Sequence, residues 1–162
     1  MIGKKVLDAI NDQLNFEQHS AQVYLAMAAD AALLGLNGVG NWFKAQAAEE
    51  TSHAMKFFGY VLERGGRVDL KAIGGPDKKF DSVAAMFEAA LTHERKVTKR
   101  ILDLQELAQK EKDPATVIFL NWFITEQVEE EANVEDILAK LKLAGDKGGA
   151  LLMLDKVLGE RK

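Results

Sequence analysis

Apolar residues return every three or four positions along most of this chain, the spacing of one face of an α-helix. A first segment, about Lys4 to Leu33, carries the stripe Val6, Ile10, Leu14, Ala21, Tyr24, Leu25 and Ala28. It runs into the glycine-rich stretch GLNGVG, Gly35 to Gly40, which reads as a turn. A second segment, about Asn41 to Arg64, places Phe43, Ala47, Ala54, Phe57, Tyr60 and Val61 on one face and stops at Gly65-Gly66. The stretch Arg67 to Phe80 has no clear period and contains Gly74-Gly75-Pro76, so a long connection is expected. Asp81 or Ser82 then caps a third helix, about Val83 to Lys110, with Phe87, Leu91, Val97, Ile101 and Leu104 inward. Asp113-Pro114 pairs a capping residue with a first-turn proline and opens a fourth helix, about 114–143. Its stripe is Val117, Leu120, Phe123, Val134, Ile137 and Leu141. AGDKGG, Ala144 to Gly149, ends it, and a short helix over about 148–158 presents Leu151, Leu154 and Leu158.

The loop lengths predict the topology. Brief joints make helices one and two, and three and four, antiparallel neighbours. A helix of thirty residues is ~45 Å long, and the connection of fourteen residues spans that at ~3.3 Å per residue. The expectation is an all-α single domain over residues 1–162: a four-helix bundle with one long crossover and a short fifth C-terminal helix. That last helix is too short to stand alone in water and must dock.

Each stripe is interrupted at its middle by polar residues. Glu17 lies between Leu14 and Ala21, and Glu94 between Leu91 and Val97. Glu50 and His53 interrupt the second stripe; Gln127 and Glu130 interrupt the fourth. The pairs Glu17 and Glu94, Glu50 and Gln127, and His53 and Glu130 all share a separation of 77 positions. Two hairpins packed with approximate two-fold symmetry therefore bring all six together near the bundle centre, and each pair three apart shares a helix face.

Four carboxylates in a core need compensation. A buried salt-bridge network is one explanation, but Lys44, Lys56, Lys96 and Lys99 fall mostly off the inward faces. Without cations the carboxyls must protonate or bear desolvation and repulsion. Two divalent ions balance the charge of four glutamates, and a ligand set rich in oxygen with one or two nitrogens suits iron(II) or manganese, and accepts zinc.

Composition narrows the chemistry further. The 162 residues suffice for a sizeable core, and the 48% apolar and 28% charged content is globular. There is no cysteine, which excludes disulfides, Cys-zinc sites, iron–sulfur clusters and thiol catalysis. A net charge of −4 gives no reason to expect nucleic acid as a partner. With no membrane span and no apolar leader in MIGKKVLDAINDQ, a cytoplasmic location is expected.

The set Glu17, Glu50-x-x-His53, Glu94, Gln127-x-x-Glu130 resembles the ferritin-like di-iron carboxylate bundles, whose general ligand pattern is two lone glutamates and two Glu-x-x-His pairs. The second half departs from that pattern, with Gln-x-x-Glu in place of Glu-x-x-His. With NFEQHSAQVY, AAEETSHAMKF and FLNWFITEQVEEE, it resembles the bacterial non-haem ferritins over nearly the whole chain. The resemblance implies a homo-24-mer shell that oxidises Fe(II) with O2 or H2O2 and stores ferric mineral. It implies a first iron on Glu17, Glu50 and His53, and a second on Glu50, Glu94 and Glu130, with Glu50 bridging and Gln127 alongside. Glu49, Glu126 and Glu129, with Glu130, correspond to a third iron site. Tyr24 and Trp122 resemble the family's aromatics near the ferroxidase centre, although core packing explains them equally well. Thr51 stands where bacterioferritins place a haem-ligand methionine and Met55 is at another spacing, so no haem is expected. His19 and His93 are expected at the surface. Alternatives within this architecture are a di-iron or di-manganese peroxidase or catalase without storage, a twelve-subunit mini-ferritin, and a metal-free helical assembly.

The acidic run TEQVEEEANVED, Thr125 to Asp136, divides by helical angle under this reading. Gln127 and Glu130 face the centre, Glu126 and Glu129 lie beside it, and Glu131, Glu135 and Asp136 belong to solvent, cavity or subunit contacts.

Overall fold

The computed structural model describes residues 1–76, 78–145 and 148–162; Asp77 in the expected connection and Asp146 and Lys147 in the expected AGDKGG turn lie outside the described residues. Five helices occur among the described residues: α1 (Lys4–Leu33), α2 (Asn37–Glu63), α3 (Val83–Lys110), α4 (Pro114–Ala144) and α5 (Gly149–Leu158). The pairs α1–α2 and α3–α4 pack closely, α1 also meets α3, and α5 rests on α2 and α4. None of these helices is long and apolar enough to cross a membrane.

The caps act where the sequence indicates. Ser82 Oγ accepts from Ala85 N–H at 3.2 Å at the start of α3, and Asp113 Oδ1 accepts from Thr116 N–H at 3.1 Å at the start of α4. Asp113 also takes two bonds from Arg64, each 3.1 Å, tying the end of α2 to the α3–α4 turn.

The long crossover is laid along α1 by polar side chains at four-residue spacing. Asn11 donates to Arg67 O at 3.0 Å and accepts from Asp69 N–H at 2.9 Å. One turn on, Asn15 donates to Asp69 O at 2.7 Å and accepts from Lys71 N–H at 2.8 Å. His19 Nδ1 lies 3.0 Å from Gly74 O, and Asp30 Oδ2 accepts from Phe80 N–H at 3.0 Å. These bonds satisfy part of the backbone of a segment whose described residues form neither helix nor strand. They also fix its direction, so it returns along the bundle and starts α3 at the same end as α2.

Two points differ from the sequence reading. α2 begins at Asn37, so Gly38 and Gly40 are helical and not part of a turn. Their smallness serves packing: a Cβ on Gly38 would lie 1.7 Å from Asp155 O, and one on Gly40 3.2 Å from Ala28 O. The same approach lets Asp155 Oδ1 accept from Val39 N–H at 2.8 Å, capping α2 from α5. The second difference is Leu25, assigned inward but 46% exposed, because its angle on α1 falls outside the buried arc of Ala21, Tyr24 and Ala28.

Two apolar clusters fill the bundle. One contains Tyr24, Met27, Phe43, Phe87, Val134 and Ile137 and extends to Leu151, Leu154 and Leu158 of α5. The other contains Ile10, Leu14, Phe57, Val97, Ile101, Leu120 and Phe123. On every long helix the polar interruption falls between residues of the first cluster and residues of the second.

Candidate metal centre

The layer between the clusters contains all six residues singled out by the 77-position repeat. Glu17 and Glu94 are wholly buried, Glu50 is 1% exposed, and His53, Gln127 and Glu130 are each 3% exposed. One ligand atom from each of Glu17, Glu50 and His53 lies within 4.8 Å of the others. His53 Nδ1 stands 3.6 Å from Glu50 Oε2.

Protein donors hold the two halves of the layer differently. On the Glu94 side, Tyr24 donates its hydroxyl to Glu94 Oε1. Gln127 Nε2 donates to Glu94 Oε2 at 3.1 Å, and Gln46 Nε2 donates to Glu130 Oε2 at 2.7 Å. On the Glu17 side, Gln13 Nε2 takes up Glu17 Oε1 at 2.7 Å, and Gln46 makes a long 3.4 Å contact to Glu50 Oε1. The second oxygens, Glu17 Oε2 and Glu50 Oε2, are buried with no hydrogen-bond partner. Orphaned carboxylate oxygens in a core are costly. Two glutamates that each carry such an oxygen, converging with an imidazole, have the donor chemistry of a divalent transition-metal site.

The electrostatics agree. Burial, then the charge of Glu50, pushes the Glu17 carboxyl well above the ordinary range. Burial, then Glu94, does the same to Glu50. Burial also raises Glu94, and burial with the Glu94 charge raises Glu130 to about 7. Burial and the same neighbour push the Tyr24 phenol well up, so it remains a donor. Among the described residues no lysine enters the layer. Lys44, Lys56, Lys96 and Lys99 are all exposed, Lys56 lying over the Trp122 ring and Lys99 pairing with Asp103. The salt-bridge explanation of the buried carboxylates therefore lacks its cations.

The chain matches the family model for the ferritin-like domain over residues 7–144. It belongs to the ferritin family. It is 41% identical over 161 residues to the bacterial non-heme ferritin of Staphylococcus aureus, a match that covers 99% of this chain and 97% of that protein. Its identity to the Staphylococcus haemolyticus counterpart is 40%, with the same coverage. Among solved structures it is similar to the open pore ferritin of the hyperthermophilic archaeon Archaeoglobus fulgidus, with 49% identity, a TM-score of 0.98 and 100% of both chains covered.

The outer glutamates of this ferritin bundle do not gather with the inner group. Among the described residues, the compact set of possible ligands stops at Glu17, Glu50 and His53. Glu126 is half-buried with Oε1 4.0 Å from His53 Nε2, Glu129 is exposed, and Glu49 pairs with Arg161. Farther round α4, Glu131 and Glu135 face Arg95 at 3.7 and 2.9 Å, and Asp136 pairs with Lys140 at 2.5 Å. Trp122 is 40% exposed and sets its edge against His53, ring centroids 5.5 Å apart.

His93 departs from its expected surface place. It is half-buried, stacks on Phe16 and has Nε2 2.8 Å from Ser20 Oγ; burial holds its pKa down to about 4. Gln13 and Gln46 are site residues that the stripe reading passed over. Each stands four residues before a glutamate of the layer, and that i, i+4 spacing was the available signal. Arg100 fixes Gln13 in turn, donating from Nε to Gln13 Oε1 at 2.9 Å.

Proposed function

We propose that this ferritin is a ferroxidase that oxidises Fe(II) and stores the product as ferric mineral inside a homo-24-mer shell in the cytoplasm. The observation that carries the reading is the buried convergence of Glu17, Glu50 and His53, with one oxygen of each carboxylate unpartnered. Fe(II) is the substrate here. A first ion takes Glu17, Glu50 and His53; a second takes Glu50, Glu94 and Glu130, with Glu50 shared between them.

The chain's own residues prepare that chemistry. Four carboxylates neutralise two divalent ions, so the loaded layer is uncharged where the empty one is repelled or protonated. Because Glu17, Glu50, Glu94 and Glu130 all have raised pKa values, Fe(II) entry displaces protons from them. Tyr24 keeps Glu94 oriented, and the Gln127 amide stands beside the same carboxylate, next to the second ion and the oxidant. Two Fe(II) ions supply two electrons. Oxygen accepts them with two protons to give peroxide, and peroxide accepts two more with two protons to give water. Pairing the metals avoids a one-electron oxygen radical. Oxidation raises the metal charge beyond what four glutamates balance, which favours hydrolysis and onward movement of Fe(III). Glu49, Glu126 and Glu129, with Glu130, form the adjoining third site on this path.

Anaerobic loading with Fe(II) followed by oxygen tests the reading. Rapid oxidation of about two irons per subunit is expected, and its absence sinks the proposal. Glu50→Ala removes the shared ligand and is expected to abolish the fast phase while the shell, measured by sedimentation, persists.

A further inference from the structure

The chain returns to the edge of the carboxylate layer after α5. Asn41 of α2 holds this return by donating from Nδ2 to Gly159 O at 3.1 Å and to Arg161 O at 2.9 Å. The backbone is thereby pinned on both sides of residue 160. The Arg161 guanidinium lies over the Trp42 ring, 4.3 Å from its centroid, and its Nη2 donates to Glu49 Oε2. The arginine side chain is only 20% exposed, and its Nη1 is buried with no hydrogen-bond partner. An arginine keeps its charge in such a setting, and the indole face favours it. Glu49 is near enough to the buried layer for its charge to contribute to the raised pKa of Glu130.

We propose that Arg161 is a tethered cation seated on Glu49, and that an Fe(II) ion fills the third site only by displacing it. The inference rests on the ferroxidase reading of the neighbouring glutamates. It fits an outer group that is not gathered into one compact set: Glu49 is paired with Arg161, and Glu126 and Glu129 lie outside the set of Glu17, Glu50 and His53. The exchange is favourable in charge, since a divalent ion replaces a monovalent one among carboxylates. It is opposed by the loss of the ion pair and of the contact with Trp42. The third position therefore fills after the two inner ones, when Fe(II) is abundant enough to compete. The guanidinium reseats when that ion leaves, because Asn41 keeps the backbone in place.

The experiment is anaerobic equilibrium dialysis of Fe(II) against the assembled, mineral-free protein. The wild type is expected to hold two ions tightly and a third weakly. Arg161→Ala is expected to tighten the third by about tenfold, the scale of a partly buried ion pair with its aromatic contact. Arg161→Gln keeps the aliphatic stem on Trp42, drops the charge and is expected to tighten it likewise, which separates charge from packing. Adding Glu49→Gln to either variant is expected to remove the gain. Third-ion affinity that is the same in wild type and both variants overturns the proposal. Failure of the wild type to hold the inner two ions overturns the ferroxidase reading; a weak outer ion that Arg161→Gln still tightens then leaves the competition between Arg161 and Fe(II) standing, and one that it does not tighten overturns that as well.

Discussion

A buried glutamate is a liability until something binds it, and Glu130 shows the sign of the effect. Its folded pKa is raised to about 7 from an ordinary 4.5, so the folded state binds its proton more tightly than the unfolded chain does. The favourable contribution of that proton is fully present below about pH 4.5 and is lost as pH rises through about 7. Glu17, Glu50 and Glu94 are shifted in the same direction. The metal-free protein is therefore expected to lose stability from pH 5 to pH 8, read as a falling melting temperature. Glu130→Gln should flatten this dependence and raise the melting temperature at pH 8, while weakening Fe(II) binding. A steeper fall in the variant than in the wild type would count against the buried-charge account. Lys112 is a separate single-residue case. It holds φ at 56° in the turn between α3 and α4, with its N–H bonded to Gln109 O at 3.0 Å. A left-handed backbone costs a residue with a Cβ roughly 1 kcal/mol, so Lys112→Gly should raise stability by about that much in chemical denaturation.

At the scale of the element, the fifth helix is held by an unusually close approach to α2. Gly38 and Gly159 meet backbone to backbone, a Cβ on Gly159 falling 3.1 Å from Gly38 Cα. Asp155 supplies the cap that Leu36, at the N-cap of α2, has no side-chain oxygen to give. Gly38→Ala places a methyl group inside the Asp155 carbonyl and should cost ~1–3 kcal/mol of thermal stability, as overpacking does. Protease cleavage within α5 should rise with it; an unchanged cleavage pattern would show that the approach is not needed. Gly35–Gly40 reads as a turn because glycine is a helix breaker in isolation; Gly35 does make the turn, with φ at 78°, and what overrides the preference at Gly38 and Gly40 is packing against Asp155 and Ala28. The other helix boundaries were legible because their signals are local. Ser82, Asp113-Pro114 and Gly65-Gly66 act on the backbone next to them.

At the scale of the whole molecule, the described chain leaves apolar surface that a single subunit does not cover. Leu143 is 90% exposed, Met153 73% and Val157 58%, around the junction of α4 and α5. Leu143, Met153 and Val157 line one groove, and exposed apolar side chains gathered in this way are expected to lie at a contact between chains. Sedimentation at the size of a 24-mer is expected for the wild type. Met153→Glu with Val157→Glu should yield smaller species with the helical content of the parent, read by circular dichroism. Retention of the full shell by that double variant would place the subunit contacts elsewhere.

The amino-acid order by itself determined the helices apart from the first turn of α2, the long crossover and the six polar residues that interrupt the core, because each is written in periodicity or in spacing along one chain. Charge arithmetic among those residues also pointed to divalent metal. What the tertiary structure decided lies between segments far apart in sequence. It separated Glu17 and Glu50, each left with an unpartnered oxygen, from Glu94 and Glu130, whose hydrogen bonds come from Tyr24, Gln127 and Gln46. It also seated Arg161 on Glu49 across 112 positions of chain. No periodicity encodes such a pair, since hydrogen bonds and ion pairs depend on distances that exist only once the helices have packed.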